Sequence, residues 1–425
     1  AEELAILIDS GEVYAADWSK NNNVHVHSKY SYSPYYPEEI AYRLRRGGLR
    51  NGGVIDHDTM AANKDFLEAA KTFGLKATSG FELRVSLNGV VRRGIDFSKL
   101  VINNPGVRNM VYFLSHAVPN SEHPLMKKLL KRIIQAKENR NRRMIDKVNE
   151  KLGALGIPVQ VDYDKDIVPL AEKWDGVDEL SNTTDRHLMV GVANRLKANV
   201  AYYKTIFGDN AIAEKAARAF RAGDVDVPMG LLRGIFLKPG SKHDSFIEAD
   251  EEENPPMAEA VQIIKAAGGL PIYPYLGDLS TDEEDVLEPL FEYLAEIGVM
   301  GIAIMPHRNT NEQIQNAIRL ARKYGLRVFS GVDINKPDMP FLEEKGLVEV
   351  PAGLPVDEFV FDQEVADSFL AGGDFIEGYE LLARHTGFYY YSDEAAAVLP
   401  NDDDRFEFYR QVGALSFKEQ IELLE

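Results

Sequence analysis

A chain of 425 residues with 45% hydrophobic side chains can bury a large core, enough for one barrel and an inserted or appended domain. It contains no cysteine, which excludes disulfides, thiolate ligands and a cysteine nucleophile, so any metal must be held by His, Asp or Glu. A formal net charge of −19 repels polyanions and argues against long nucleic-acid partners, and no apolar run approaches the roughly 18–20 residues of a membrane helix.

The opening AEELAILIDSGEVYAADWSK lacks a basic region followed by an apolar core, so a cytoplasmic protein with no membrane partner is expected. From Val24 to Gly80, short apolar runs alternate with helical periods, which predicts β/α units around a parallel-strand core. His25-Val26-His27 ends the first run. Residues two apart on a strand share a face, so both imidazoles can reach one cation, although two core or surface histidines would give the same pattern. Asp56-His57-Asp58 follows the run Gly53-Val54-Ile55 and falls at a strand's C-terminal edge, where α/β sites are built. The plainer reading is a turn with a helix cap at Asp58-Thr59. A third strand, Leu75 to Ser79, leads into Gly80-Phe81-Glu82.

Between 121 and 254 the pattern changes to long polar helices without intervening strands, predicting an inserted helical subdomain. Its first helix carries Lys127, Lys128, Lys131, Arg132, Lys137, Arg140, Arg142 and Arg143, with Leu130, Ile133, Ile134, Ile145 and Val148 at helical spacing, which fits a solvated basic face on a packing helix. An acidic run, Glu248 to Glu253, and Pro255-Pro256 mark the exit. The β/α pattern then returns, and a strand from Leu326 to Ser330 ends in Gly331-Val332-Asp333. The expected organisation is 1–120 and 255–350 as two parts of one barrel, 121–254 as a helical lid, and 351–425 as a C-terminal helical extension whose purpose cannot be read.

Four strand ends thus offer His25, His27, His57, Glu82 and Asp333, a mixture that suits Mn²⁺, Fe²⁺ or Zn²⁺ with a position open for an activated water. The segments VHVHSKYS, GGVIDHDTMAANKDFLEAAKTFGLKATSGFELRV, AGGLPIYPYLGD and KYGLRVFSGVDIN resemble, in order and spacing, the motifs of the polymerase and histidinol phosphatase (PHP) superfamily. The resemblance covers about 24–340 and is nearest the branch that releases phosphate or nucleotides from small nucleotides and short RNA ends. It implies an α/β fold, a distorted (β/α)7 PHP-type barrel with an inserted helical subdomain.

Carried over residue by residue, it implies His25, His27, Glu82 and Asp333 as ligands of one metal and His57 as a ligand of another. The remaining places of a trinuclear cluster are taken by Tyr32, Tyr112, Tyr273 and Asn335, so one divalent ion per chain is expected. His57 or Asp56 would serve as general base. Arg186 and His187, matching an Arg-His element of that branch, and His307 and Arg308, at another strand end, would contact a small anionic substrate. Arg186 has a plainer reading too, an ion pair within the insertion, for instance with Asp185, and His116 is a weaker substitute for the ligand absent at Tyr112.

The expectation is a metal-dependent hydrolase, a phosphoesterase on a small phosphorylated or nucleotide-like compound. Two alternatives stand beside it: a PHP-fold binding or regulatory protein without turnover, and a single-metal hydrolase of an amide or lactone bond.

Overall fold

The protein is described by a computed structural model that covers residues 1–19, 22–174, 181–335 and 363–425. Two compact units emerge: a barrel unit of residues 1–29, 33–130 and 254–425, and a helical unit of residues 30–32 and 131–253.

The barrel unit is built on a seven-stranded sheet in the order β1 (Asn22–Val26), β2 (Asn51–His57), β3 (Lys76–Ser86), β6 (Met110–His116), β7 (Leu270–Tyr275), β8 (Gly301–Ile304) and β9 (Arg327–Ser330). β4 (Val91–Arg92) and β5 (Ile95–Asp96) form a separate small hairpin. The far ends of the sheet meet through a parallel bridge between Val26 and Ile334, which curls the sheet toward closure. Helices α2 (Pro37–Arg46) and α3 (Asn63–Thr72) connect the first parallel strands, and α9 (Met257–Ala266), α10 (Leu287–Ile297) and α11 (Asn311–Lys323) accompany the last three. Each is amphipathic: α11, for example, buries Ile314, Ala317, Ile318, Leu320 and Ala321 and starts in a capping box between Thr310 and Gln313.

One strand departs from the expected parallel core. β6 runs antiparallel to both β3 and β7. Its connection to β3 holds the β4–β5 hairpin rather than the long crossover helix a parallel return would need. β3 is also longer than its sequence signal, because pairing with β6 carries it from Glu82 on to Ser86.

The chain beyond the barrel strands belongs to the same unit. α12 (Gln363–Thr386) packs Phe375, Ile376 and Tyr379 against Ile55, Leu114, Ile272, Ala303 and Phe329, giving the sheet its apolar core. Glu380 on α12, fully buried, accepts hydrogen bonds from the Thr78 hydroxyl, the Ser79 N–H and the Ser79 hydroxyl at 2.5, 2.7 and 2.6 Å, fixing the helix to β3. α14 (Asp402–Ala414) lies against α12 and adds Tyr409 to that core. Residues 336–362, which fall across the boundary expected near 350, lie outside the described residues.

In the helical unit, the long α4 (Pro124–Ala154), which begins in the barrel unit, runs with α5 (Asp185–Leu196), α6 (Val200–Phe207), α7 (Asn210–Arg221) and α8 (Asp226–Phe236) around a core of Val148, Leu152, Leu188, Val192, Tyr203, Leu232 and Phe236. The basic face of α4 is only partly solvated. Lys137 and Arg140 are buried, Lys137 donating to Asn182 Oδ1 at 2.5 Å and Arg140 forming a two-pronged pair with Glu253 at 2.5 and 2.7 Å. No described helix of either unit is long and apolar enough to cross a membrane.

Candidate metal centre

The barrel strands bring five side chains to one place. His25 and His27 follow the alternation of β1 and point to the same side, and a Cβ at position 331 would come within 2.9 Å of the His25 Cβ, so Gly331 leaves room for that imidazole. Asp333 is drawn in by the bridge: the His27 N–H donates to the Ile334 carbonyl at 2.9 Å, and the Ile334 N–H to that of His25 at 3.2 Å. β2 delivers His57 beside Glu82 of β3, its register partner. The chain then turns through Asp58, whose positive φ of 56° is held by a 2.7 Å hydrogen bond from its N–H to the Glu82 carbonyl.

Donor atoms lie close together. His25 Nε2 is 3.1 Å and His27 Nε2 3.7 Å from Glu82 Oε2, His27 Nε2 is 3.3 Å from Asp333 Oδ1, and His57 Nδ1 is 3.5 Å from the other Glu82 oxygen. A first-row divalent cation sits about 2.0–2.2 Å from such donors, so neighbouring ligands in its shell stand about 3.0–3.6 Å apart. The observed spacings match the edges of that polyhedron, and two overlapping triads result: His25, His27 and Asp333, and His27, His57 and Glu82. His25 and His27 are each 1% exposed, and Nδ1 of His25 has no hydrogen-bond partner among the described residues. These residues fit a cation.

The electrostatics point the same way. Burial alone would lift Asp333, yet its hydrogen bond with His27 and the charges of His27, His25 and Arg308 hold it well below the usual carboxylate range. Glu82 is likewise pulled down, burial being outweighed by His57, His25 and His27. Burial disfavours a charged His27, but Asp333 and Glu82 push its affinity for a proton up. The same negative field would hold a metal ion. Burial lowers His57 to about 4, opposed by Glu82, so it is a neutral imidazole at pH 7.

The positions where the resemblance expects further ligands are occupied differently. Tyr112 stands beside the cluster, its ring 6.1 Å from that of His57 and its backbone held by Asn103. Asn335 donates to Asp333 Oδ1 at 2.8 Å, orienting that carboxylate. Tyr273 is on the other face of the sheet. Glu82 pairs with Leu114 and Leu114 with Ile272, so Tyr273, one residue on, points the opposite way and donates its hydroxyl to the buried Glu283 at 2.5 Å. Tyr32 makes its contacts in the helical unit, donating to Asp226 at 3.2 Å.

Among the other expected site residues, Asp56 accepts hydrogen bonds at both oxygens, from the Ser28 N–H at 2.7 Å and the Ser28 hydroxyl at 2.5 Å, which ties down the segment after His27. Arg308 reaches Asp333 Oδ2 at 3.3 Å. His307 falls in a short turn, Pro306–Arg308, and its side chain lies outside the described set. Arg186 and His187 are in the first turn of α5 in the helical unit. His187 is 3% exposed, and its Nδ1 accepts from the Thr184 N–H at 2.9 Å in a capping box. Arg186 lies over the Tyr32 ring at 5.5 Å, while Asp185 pairs with Arg233 instead.

Two further residues stand beside the cluster: His116, which the sequence offers as a weak substitute ligand, and Arg84, which escapes sequence reasoning. His116, paired with Gly80 and on the Glu82 face of the sheet, is 1% exposed, and neither ring nitrogen has a hydrogen-bond partner among the described residues. Burial, with the charge of His25, lowers it well below the ordinary imidazole range. Arg84 lies two residues beyond Glu82 on β3, opposite Tyr112. A Glu-x-Arg alternation was the available signal, legible only once β3 is known to extend past Glu82.

Residues 23–214 match the family model of the PHP domain. A solved structure from Bifidobacterium adolescentis, provisionally named a metal-dependent phosphoesterase, resembles the chain with a TM-score of 0.51 at 17% identity, over 84% of this chain and 98% of that one. An amidohydrolase from Chromobacterium violaceum, solved with bound sulfate and no metal, has a TM-score of 0.49 at 18% identity over 75% of this chain and 88% of its own. No curated protein matches the sequence.

Proposed function

We propose, for a chain whose residues 23–214 match the PHP domain model, a metal-dependent hydrolase that cleaves a small phosphate ester, with one divalent ion bound by His25, His27, Glu82 and Asp333. The observation that carries this reading is the set of donor spacings of 3.1, 3.3 and 3.7 Å among those four side chains. When bound, a divalent cation supplies Lewis acidity, lowering the pKa of a water and polarising an ester oxygen.

The protein's own groups divide the remaining work. His57, neutral at pH 7 and 29% exposed at its side chain, accepts a proton at a ring nitrogen. Asp56, with both oxygens engaged by Ser28, is a positioning residue that fixes the backbone next to His27. Asn335 and Arg308 hold the two oxygens of Asp333 in place, at 2.8 and 3.3 Å.

A panel of phosphomonoesters, nucleotides and lactones separates the readings. Turnover of phosphate esters, lost in His57→Ala with metal retained, supports the proposal. Turnover of lactones or amides alone would assign the metal to a different bond. Asn335 in place of a ligand favours the second reading, a PHP-fold binding or regulatory protein, and a metal-loaded chain inert to the whole panel would support it.

A further inference from the structure

We propose that Arg84 is the residue that binds the anionic group of the substrate beside the metal cluster, an inference that rests on the proposed use of that cluster. Strand alternation puts Arg84 on the same face of β3 as Glu82, two residues toward the strand's C-terminal end. Among the residues from Thr78 to Ser86, all others are buried and Arg84 alone is half-exposed, so its side chain reaches an opening. The antiparallel register pairs it with Tyr112, itself half-exposed, and the guanidinium carbon stands 5.8 Å from that ring's centroid. The Tyr112 ring is in turn 6.1 Å from His57, and the Arg84 charge acts on that imidazole. A fixed cation, supported by an aromatic face, therefore stands next to the metal donors on the accessible side of β3.

The charge balance gives this cation a purpose. Two ionised carboxylates, Glu82 and Asp333, cancel one divalent ion, so the ligand set by itself offers a dianionic phosphate no net positive charge. Arg308 is held at Asp333 Oδ2, 3.3 Å away. Arg84 adds one positive charge in a planar fork matched to two phosphoryl oxygens, a geometry that lysine cannot copy. The ligand class is a terminal phosphate monoester or inorganic phosphate.

The test is calorimetric titration of inorganic phosphate into the full chain, with and without added Zn²⁺, for wild type, Arg84→Ala and Arg84→Lys, with metal content measured alongside. The expected result is a phosphate Kd raised about tenfold or more in Arg84→Ala, an intermediate value in Arg84→Lys, and the same metal content in all three. The inference is overturned if the wild type binds no phosphate in either condition, if phosphate affinity is unchanged in Arg84→Ala, or if either substitution removes the metal. Wild-type protein that takes up no metal yet binds phosphate through Arg84 would sink the metal reading while leaving this one standing. Equal melting temperatures keep misfolding from counting as either result.

Discussion

The barrel unit and the helical unit draw on the same residue types for opposite ends. In the barrel unit, His25, His27, Glu82 and Asp333 converge with donor atoms spaced like a coordination shell. In the helical unit, His187 closes a capping box, Asp185 pairs with Arg233, and Arg140 pairs with Glu253. The difference comes from the elements. Strand ends in a curled sheet aim side chains from distant parts of the chain at one point, whereas a helix terminus absorbs a nearby polar side chain into its own unpaired N–H groups. A histidine beside an arginine thus carries little functional information until its backbone setting is known.

The contrast can be broken first at Arg140. Its guanidinium and Glu253 are both buried, so Arg140→Ala leaves an uncompensated carboxylate and should lower stability by about 3–5 kcal/mol, read as a fall in Tm with metal content unchanged. A neutral effect would mean that the pair is not structural. A smaller effect is expected at His187. Burial lowers its folded pKa to about 4, against about 6.5 when unfolded, and Nδ1 must stay deprotonated to accept the Thr184 N–H.

The linkage has a definite sign: the contribution is full above pH 6.5 and is lost as pH falls from about 6.5 to about 4, amounting to about 3 kcal/mol at most. Denaturation of wild type and His187→Gln across that window should show a shallower acid loss in the variant, and parallel curves would contradict the cap assignment. The smallest effect concerns the barrel: Tyr273→Phe removes the hydrogen bond to Glu283, whose pKa burial raises to about 7, and should cost about 1–2 kcal/mol while leaving metal content untouched. A change in metal content would put Tyr273 back at the site.

The sequence made the cluster legible where the signal was local. His25 and His27 follow the period of a strand, and Asp56-His57 and Asp333 follow apolar runs, so their place at strand ends needed no long-range information. Tyr273 was not legible as an outward-facing residue, because its orientation depends on the antiparallel register of β6 with β7, and a one-residue shift moves a side chain to the other face. Arg84 was hidden for a related reason: β3 runs to Ser86 through pairing with β6. Asp56 looked like a base because its partner, Ser28, lies on another strand's exit loop. The stretch after residue 362 read as helical, but which surface α12 covers is set by packing of Phe375 and Tyr379 on the sheet, which no local pattern encodes.

Metal content of the purified full chain after dialysis against Zn²⁺ or Mn²⁺ and then buffer decides whether His25, His27, Glu82 and Asp333 together hold a cation. One divalent ion per chain is expected in wild type, lost in both His27→Ala and Asp333→Ala. Wild type that emerges metal-free, or variants that keep the full complement, would contradict it.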